Sequence, residues 1–405
     1  MNQLNAPIII LGGGAAGFFA AIHNKEANPN SDVIIIEQSA TVLSKVKISG
    51  GGRCNVTHAC FEPKELVSYY PRGGKALHGL FSRFQPQDTI EWFESRGVKL
   101  KIEADNRVFP VSDSSQSIID CLVDTAQSLG IKIWTKCRVE SVNKQDHLFN
   151  LNLADGQTIQ ANKLIMATGS SRFAYDLAAS FGHTIVKPLP SLFTVKINDK
   201  ALTALSGVSV PSASASLYQK KKTDQIGPLL ITHQGLSGPA IIKLSAWQAV
   251  YLAGLNYTFK LRINWLSSLS QADIMDSFVD VSERFPDKFV SSVSPFPDIS
   301  SRLWHYLVSK TNFSHKLRWK QVSEKHMTLL LEQLTATLFD VVGKSPFKEE
   351  FVTCGGVELN EVNFKNMESR LCPGLHFVGE LLNIDGVTGG FNFQNAWSTG
   401  VVSSY

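Results

Sequence analysis

Four β-forming apolar residues that run directly into a glycine cluster constrain this chain more than any other feature. Ile8-Ile9-Ile10-Leu11 enters Gly12-Gly13-Gly14-Ala15-Ala16-Gly17, an Ala-rich stretch follows, and Val33-Ile34-Ile35-Ile36 ends in Glu37. A fully apolar strand, a glycine turn, a helix and a second apolar strand make the first unit of a parallel α/β layer. Gly12 permits the tight turn, Gly14 lets the backbone approach a pyrophosphate, and Gly17 lets the helix lie close to the sheet. Ala15 and Ala16 open the helix, whose free N–H groups and positive dipole end suit phosphates. Glu37 stands twenty residues after Gly17, where a carboxylate accepts hydrogen bonds from an adenosine ribose, with Gln38 beside it. A glycine-rich turn alone would say little; with strand, helix and acid in place, the segment reads as a dinucleotide grip.

A chain of 405 residues, 43% hydrophobic and 18% charged, has room for two or three domains with large cores. Its net charge of +4 calls for no polyanionic partner, and Lys220-Lys221-Lys222 reads as a solvated hairpin tip. The six cysteines form no C-x-x-C pair, and no histidines cluster at metal-ligand spacing. The pattern points to free thiols in a reducing compartment, no zinc site and no redox disulfide. The apolar stretch from Pro7 to Ile22 lacks a basic leader and contains the phosphate loop, and no run of eighteen apolar residues occurs elsewhere. The expectation is a cytoplasmic protein without a membrane partner.

Strand-like and helix-like segments alternate from Ala6 to about Leu189, with helices expected at Ala15 to Lys25, Thr89 to Ser95 and Ser115 to Leu129. Lys132 to Asn143, Phe149 to Leu153, Thr158 to Gln160 and Lys163 to Ala167 read as strands. After Pro188-Leu189-Pro190, the segments Leu192 to Ile197, Val208 to Tyr218, Pro228 to Thr232 and Tyr257 to Asn264 suggest a small barrel or antiparallel sheet. From Ser270 to about Leu334 the pattern turns helical. Phe351-Val352-Thr353 and Leu375 to Glu380 return to strand character, and Gly389 to Val402 reads as a helix opened by glycines. The expected domains are a discontinuous α/β domain over 1–190 and 346–405, a barrel over 191–265 and 335–345, and a helical insert over 266–334.

Two further glycine loops carry chemistry. In Ser49-Gly50-Gly51-Gly52-Arg53-Cys54-Asn55, the successive glycines have no merit inside an element, so the loop must pass close to something. Arg53 and Asn55 supply donors for anionic or carbonyl oxygens. The second loop runs from Gly379-Glu380 through Asp385 to Gly389-Gly390-Phe391-Asn392-Phe393. Asp385 can hold a ribityl hydroxyl, and a helix opened at Gly389-Gly390 stabilises the negative charge of a reduced flavin. Three glycine loops and a single Gly-x-Gly-x-x-Gly point to one non-covalent FAD, without a dedicated NAD(P)H domain.

These strings resemble the bacterial flavoproteins of the BaiN/RdsA type, also described as aminoacetone-oxidase-type or YhiN-like NAD(P)/FAD-dependent oxidoreductases. The matching pieces include the Gly12 loop, Ser49 to Thr57, Arg107 to Pro110, Ala167-Thr168-Gly169, Thr232 to Pro239, Cys354 to Val357 and Gly379 to Gly400. The resemblance implies a glutathione-reductase-like FAD-binding Rossmann domain interrupted by a β-barrel that carries a helical insert. It also implies cofactor contacts from Lys45, Val139 and Ala167-Thr168-Gly169. Where the family has Gly-Arg-Lys ahead of the second loop, this chain has Leu43-Ser44-Lys45, so only the lysine carries over.

Candidates on the substrate side are Arg53, Cys54, His58, His233 and Ser237. His233 is a candidate to move a proton, and Thr-His-Gln-Gly-Leu-Ser-Gly-Pro suits a lid. Cys54 reads as a packed thiol. Arg107 either clamps a carboxylate or pairs with a surface acid. The expected activity is FAD-dependent hydride transfer with a small-molecule substrate, with transient NAD(P)H as a candidate electron source and no metal. A flavoprotein acting on a macromolecule such as tRNA, or a redox-silent FAD binder, is the alternative.

Overall fold

A computed structural model describes residues 6–345 and 352–405, which fall into two compact units, Met1–Pro190 with Val352–Tyr405, and Ser191–Phe351. The strand expected to include Phe351 lies partly outside the described residues; its described part is Thr353–Val357.

In the first unit, Ile8–Leu11 sits centrally in a sheet, parallel to Lys163–Met166 on one side and Val33–Ile36 on the other. Lys132–Trp134 and Leu375–Phe377 extend it in parallel, and Glu368–Ser369 and Val362–Asn363 add an antiparallel edge. The central strands are apolar on both faces because both faces are covered; all residues of Ile8–Leu11 and Val33–Ile36 are buried. The first helix, Ala15–Ala27, lies against the last, Phe391–Val402, with Gly400 facing Ala16, Phe19 and Ala20. A Cβ on Gly400 would stand 2.8 Å from that of Phe19. The Phe19 ring lies 4.5 Å from both Trp92 and Trp397, joining the two helices to the helix Pro86–Glu94. The end of the chain thus completes the core begun by its start.

The second unit is built on a closed antiparallel barrel in the order Val195–Ile197, Gly235–Ser237, Gln225–Thr232, Ser209–Leu217, Phe259–Asn264 and Thr337–Lys344. Val210, Leu229, Ile231, Leu261, Ile263 and Val341 fill it, while alternate residues such as Lys260 and Arg262 point outward. Helices Gln271–Arg284, Ser301–Ser309 and Glu324–Thr335 sit between the last two strands, around buried Trp304 and Trp319.

Three sequence expectations need correction. The β-rich stretch contains a sixteen-residue helix, Pro239–Gly254, which the pattern did not reveal because its apolar and small residues run nearly all round. Lys132 to Asn143 is two strands in different sheets, Lys132–Trp134 and Val139–Gln145. The last helix starts at Phe391 rather than Gly389, because Gly389 and Gly390 have φ of +126° and +97°. Among the described residues, no helix is long and apolar enough to cross a membrane, no His, Cys, Asp and Glu group could hold a metal, and all six cysteines are free.

Candidate cofactor site

The three glycines of the first loop answer to different neighbours. A Cβ on Gly12 would stand 2.6 Å from the Ala167 carbonyl oxygen, and one on Gly17 would stand 2.0 Å from the Gly12 carbonyl oxygen. Both glycines are demanded by the fold. Gly14 is not: it has extended backbone (φ −92°, ψ −171°), and a Cβ there would meet nothing within 4 Å. The protein leaves open space beside Gly14 at the N-terminus of the first helix, where Ala15 and Ala16 begin a turn that no side chain caps. That is the fit a pyrophosphate requires.

Glu37 is fixed from both sides. Its Oε2 accepts the Gly13 N–H at 2.9 Å, and its Oε1 accepts the Ser39 N–H at 2.8 Å and hydroxyl at 2.7 Å. The carboxylate therefore locks the end of the second strand to the glycine loop, with Gln38 exposed beside it.

The second loop departs from a helical turn that begins at Ser44. Ser49 swings to ψ 149°, Gly50, Gly51 and Gly52 take φ of +55°, +68° and +85°, and Cys54 takes +60°. Only glycine adopts such a succession cheaply. Cβ atoms on Gly51 and Gly52 would meet nothing, whereas one on Gly50 would stand 3.1 Å from the Phe109 ring. Burial pushes the Cys54 thiol up to about 12, so it is a packed thiol rather than a nucleophile. Arg53 bonds Glu103 and Asp113 and lies 3.9 Å over the Phe109 ring. Those two carboxylates raise its already high pKa. Two acids of the protein thus engage the Arg53 guanidinium, which braces the loop. Arg107 likewise pairs with Asp105 at 2.7 Å.

The third strip assembles from distant pieces. Lys45 Nζ lies 2.6 Å from Glu380 Oε2, while Glu380 Oε1 accepts the Thr353 N–H at 3.1 Å and the Ser170 hydroxyl at 3.4 Å. This cluster sits beside Gly169, which follows Ala167 and Thr168 at the end of the strand Lys163–Met166. Asp385 is fully buried and paired through both oxygens with Arg72, a partner 313 residues away that no local motif signals. Asn392 both accepts from the Gly386 N–H and donates to its carbonyl, at 2.9 Å each. Phe391 stacks on Tyr69 at 4.5 Å, Phe393 stacks on Trp397 at 5.5 Å, and His58 Nδ1 lies 3.2 Å from the Gly389 carbonyl oxygen. Gly390 lets the loop touch the strand Thr57–His58; a Cβ there would stand 2.5 Å from the Thr57 carbonyl oxygen. Gly379 is anchored by its N–H to Thr399 Oγ1 at 2.9 Å.

Two buried atoms in these loops, Asn55 Oδ1 and Thr168 Oγ1, have no hydrogen-bond partner among the described residues, and neither has Asn383 Oδ1. Each costs about 1–3 kcal/mol unless a ligand or water satisfies it. Unmet polar atoms beside glycines with open space are what a polar, extended cofactor would complete. Val139 is buried in a three-stranded sheet opposite Leu153, two residues after Cys137, whose N–H donates to the Glu37 carbonyl oxygen at 2.9 Å.

In the second unit, His233 is exposed at the turn between Gln225–Thr232 and Gly235–Ser237. Thr232 Oγ1 accepts the Gln234 and Gly235 N–H groups, fixing the turn, and Ser237 Oγ lies 2.9 Å from Thr194 Oγ1. The two candidates share one hairpin, one at its tip and the other in its strand.

The chain matches the family model for the HI0933-like protein Rossmann domain over residues 6–405. A ribosomal RNA dihydrouridine synthase of Escherichia coli (strain K12) is 30% identical over 408 residues, spanning 96% of this chain and 95% of its own. A 3-dehydro-bile acid delta(4,6)-reductase of Clostridium scindens is 27% identical over 416 residues, spanning 100% of this chain and 98% of its own. The open conformation of a flavocytochrome c3 fumarate reductase shares the fold with a TM-score of 0.51 at 17% identity, covering 99% of this chain and 77% of that one.

Proposed function

The chain belongs to the HI0933-like Rossmann family of FAD-binding oxidoreductases, with FAD as its cofactor, and from that premise we propose that it reduces a carbon–carbon double bond conjugated to a carbonyl. One observation carries this reading. Two relatives that match nearly end to end are named for very different substrates, yet both names describe saturation of such a bond. Bound flavin supplies the hydride, so the protein's part is to bind, orient and manage protons.

In this reading the Gly12–Gly17 loop and the helix behind it take the pyrophosphate, and Glu37 takes the adenosine ribose. The Ser49–Asn55 loop and the strip from Gly379 to Phe393 flank the ribityl chain and flavin, with Lys45 and Gly169 alongside. His233 is the proposed proton donor and Ser237 its neighbour on the hairpin. Arg53, held by Glu103 and Asp113, positions the Ser49–Asn55 loop. NADH or NADPH delivers electrons transiently.

A small conjugated carbonyl compound is the first substrate reading, supported by the bile acid reductase. A uracil base of ribosomal RNA is the second, supported by the 30% identical relative. Both can be tested in one anaerobic experiment. Flavin bleached by NADH or NADPH is mixed with a panel of conjugated enones, then with ribosomal RNA, while reoxidation and the gain of two hydrogens by the acceptor are followed. Reoxidation by neither, together with flavin bleaching by amines or alcohols, would overturn the reductase reading.

A further inference from the structure

The chain's positive charge is not evenly spread. Overall, 39 Lys and Arg face 35 Asp and Glu, but residues 209–264 hold Lys220, Lys221, Lys222, Lys243, Lys260 and Arg262 against one acid, Asp224. The fold then gathers this stretch. Ser209–Leu217 pairs with Gln225–Thr232 on one side and Phe259–Asn264 on the other, and the helix Pro239–Gly254 packs over the first two. Lys260 and Arg262 are countered by Asp340 and Asp224. Lys220, Lys221, Lys222 and Lys243 make no ion pair among the described residues.

Aromatic side chains lie among these lysines. Lys243, Trp247 and Tyr251 follow at four-residue spacing and so share one helix face. Trp247 is 39% exposed, Val250 59% and Tyr251 45%. Lys220 Nζ lies 3.4 Å over the Tyr251 ring and 2.8 Å from Gln248 Oε1, which ties the lysine hairpin tip to that face. Trp247, Val250 and Tyr251 are neighbours on one helix, and a contiguous apolar patch of this kind marks a contact surface whose partner is selected by the unpaired cations beside it. A second copy of the chain would fit badly, because a two-fold contact over this face sets lysine against lysine, while its acids Asp224 and Asp340 are already paired with Arg262 and Lys260.

We propose that this face of the barrel unit binds single-stranded RNA, with bases stacked on Trp247 and Tyr251 and phosphates held by Lys221, Lys222 and Lys243. The inference rests on the ribosomal RNA reading above. Stacking on aromatic side chains flanked by cations is the general mode of sequence-tolerant single-strand binding.

The test uses the FAD-loaded protein and a fluorescein-labelled, uridine-rich single strand of about 12 nucleotides, within the footprint of one binding domain. Fluorescence anisotropy is read over a range of salt concentrations. Wild type should bind more weakly as salt rises. Lys221→Glu with Lys222→Glu should lower the magnitude of the log–log salt slope by about 1.4, or about 0.7 for each lost phosphate contact. Trp247→Ala with Tyr251→Ala should weaken binding about tenfold or more at an unchanged slope. All four positions are exposed and outside the glycine loops, so flavin content, circular dichroism and reduction of small enones should stay at wild-type level. No binding by wild type, or wild-type binding by either double variant, overturns the proposal. A wild-type dimer that the aromatic variant splits also overturns it, by making the face a self-contact. The two ideas fail separately: ribosomal RNA left unreduced while the strand binds here removes only the substrate reading, whereas RNA reduced and bound equally by the double variants removes only this surface.

Discussion

At the residue scale, the glycines of one motif divide by what forbids their side chains. Gly12 and Gly17 are held to glycine by backbone atoms 2.6 and 2.0 Å from where a Cβ would stand, while Gly14 faces open space in an extended conformation. Gly14→Val should therefore fold, with an apo stability within about 1 kcal/mol of wild type, the scale of a helix-cap change. It should nevertheless lose FAD and with it the ligand's contribution to the melting temperature. Stoichiometric FAD in the purified variant would remove Gly14 from the phosphate site. His233 makes the opposite prediction. His233→Ala should keep its FAD and spectrum but slow reoxidation of the reduced flavin by substrate about 100-fold, the scale of a lost general acid. An unchanged rate would leave it a surface histidine.

At the scale of elements, two histidines of the α/β unit are held in neutral form, His376 buried and His23 largely so, with 16% of its side chain exposed. His23, on the first helix, is held at about 4 by burial and by the nearby Arg96 charge, although Glu26 lies 3.5 Å from its Nδ1. His376, in the strand Leu375–Phe377, is held at about 4 by burial and by Lys163, with its Nδ1 3.0 Å from the Asn366 carbonyl oxygen. Both folded values lie below the ordinary 6.5, so the unfolded chain binds more protons in between. Stability is thus complete above about pH 6.5 and is lost as pH falls toward 4, by up to about 3 kcal/mol for each histidine. Urea midpoints measured from pH 7.5 to 4.5 should fall over that window, and His376→Gln should flatten the fall. A profile that stays level down to pH 4.5 would contradict the burial of both rings.

At the scale of the whole molecule, the α/β unit is made from both ends of the chain, and the last helix buries nearly its whole length against the first. One FAD per chain, released on denaturation, is the expected stoichiometry. Adding FAD to apoprotein should slow amide exchange in the Gly12, Ser49 and Gly379 loops while leaving the barrel strand Ser209–Leu217 unchanged. Protection confined to the barrel would misplace the cofactor.

The sequence by itself was enough to identify what is local and periodic. The strand–glycine–helix start, the apolar parallel strands, the β-rich middle with its helical block and the FAD reading all follow from spacing within some forty residues or from strings found in one family. The helix Pro239–Gly254 escaped because an almost wholly apolar helix has no periodic face to display. Only the tertiary structure decided which charges would meet. Arg53 reads in sequence as an anion donor and Asp385 as a ribityl acceptor; only the fold brings Glu103 and Asp113 to the first and Arg72 to the second. Lys220-Lys221-Lys222 is the solvated hairpin tip that the sequence suggests, and only the fold sets Lys220 over the Tyr251 ring. Propensity and hydrophobic pattern act along the chain over a few residues, whereas the partner of a charge is whatever group folding carries to within a few ångströms, from any distance in sequence.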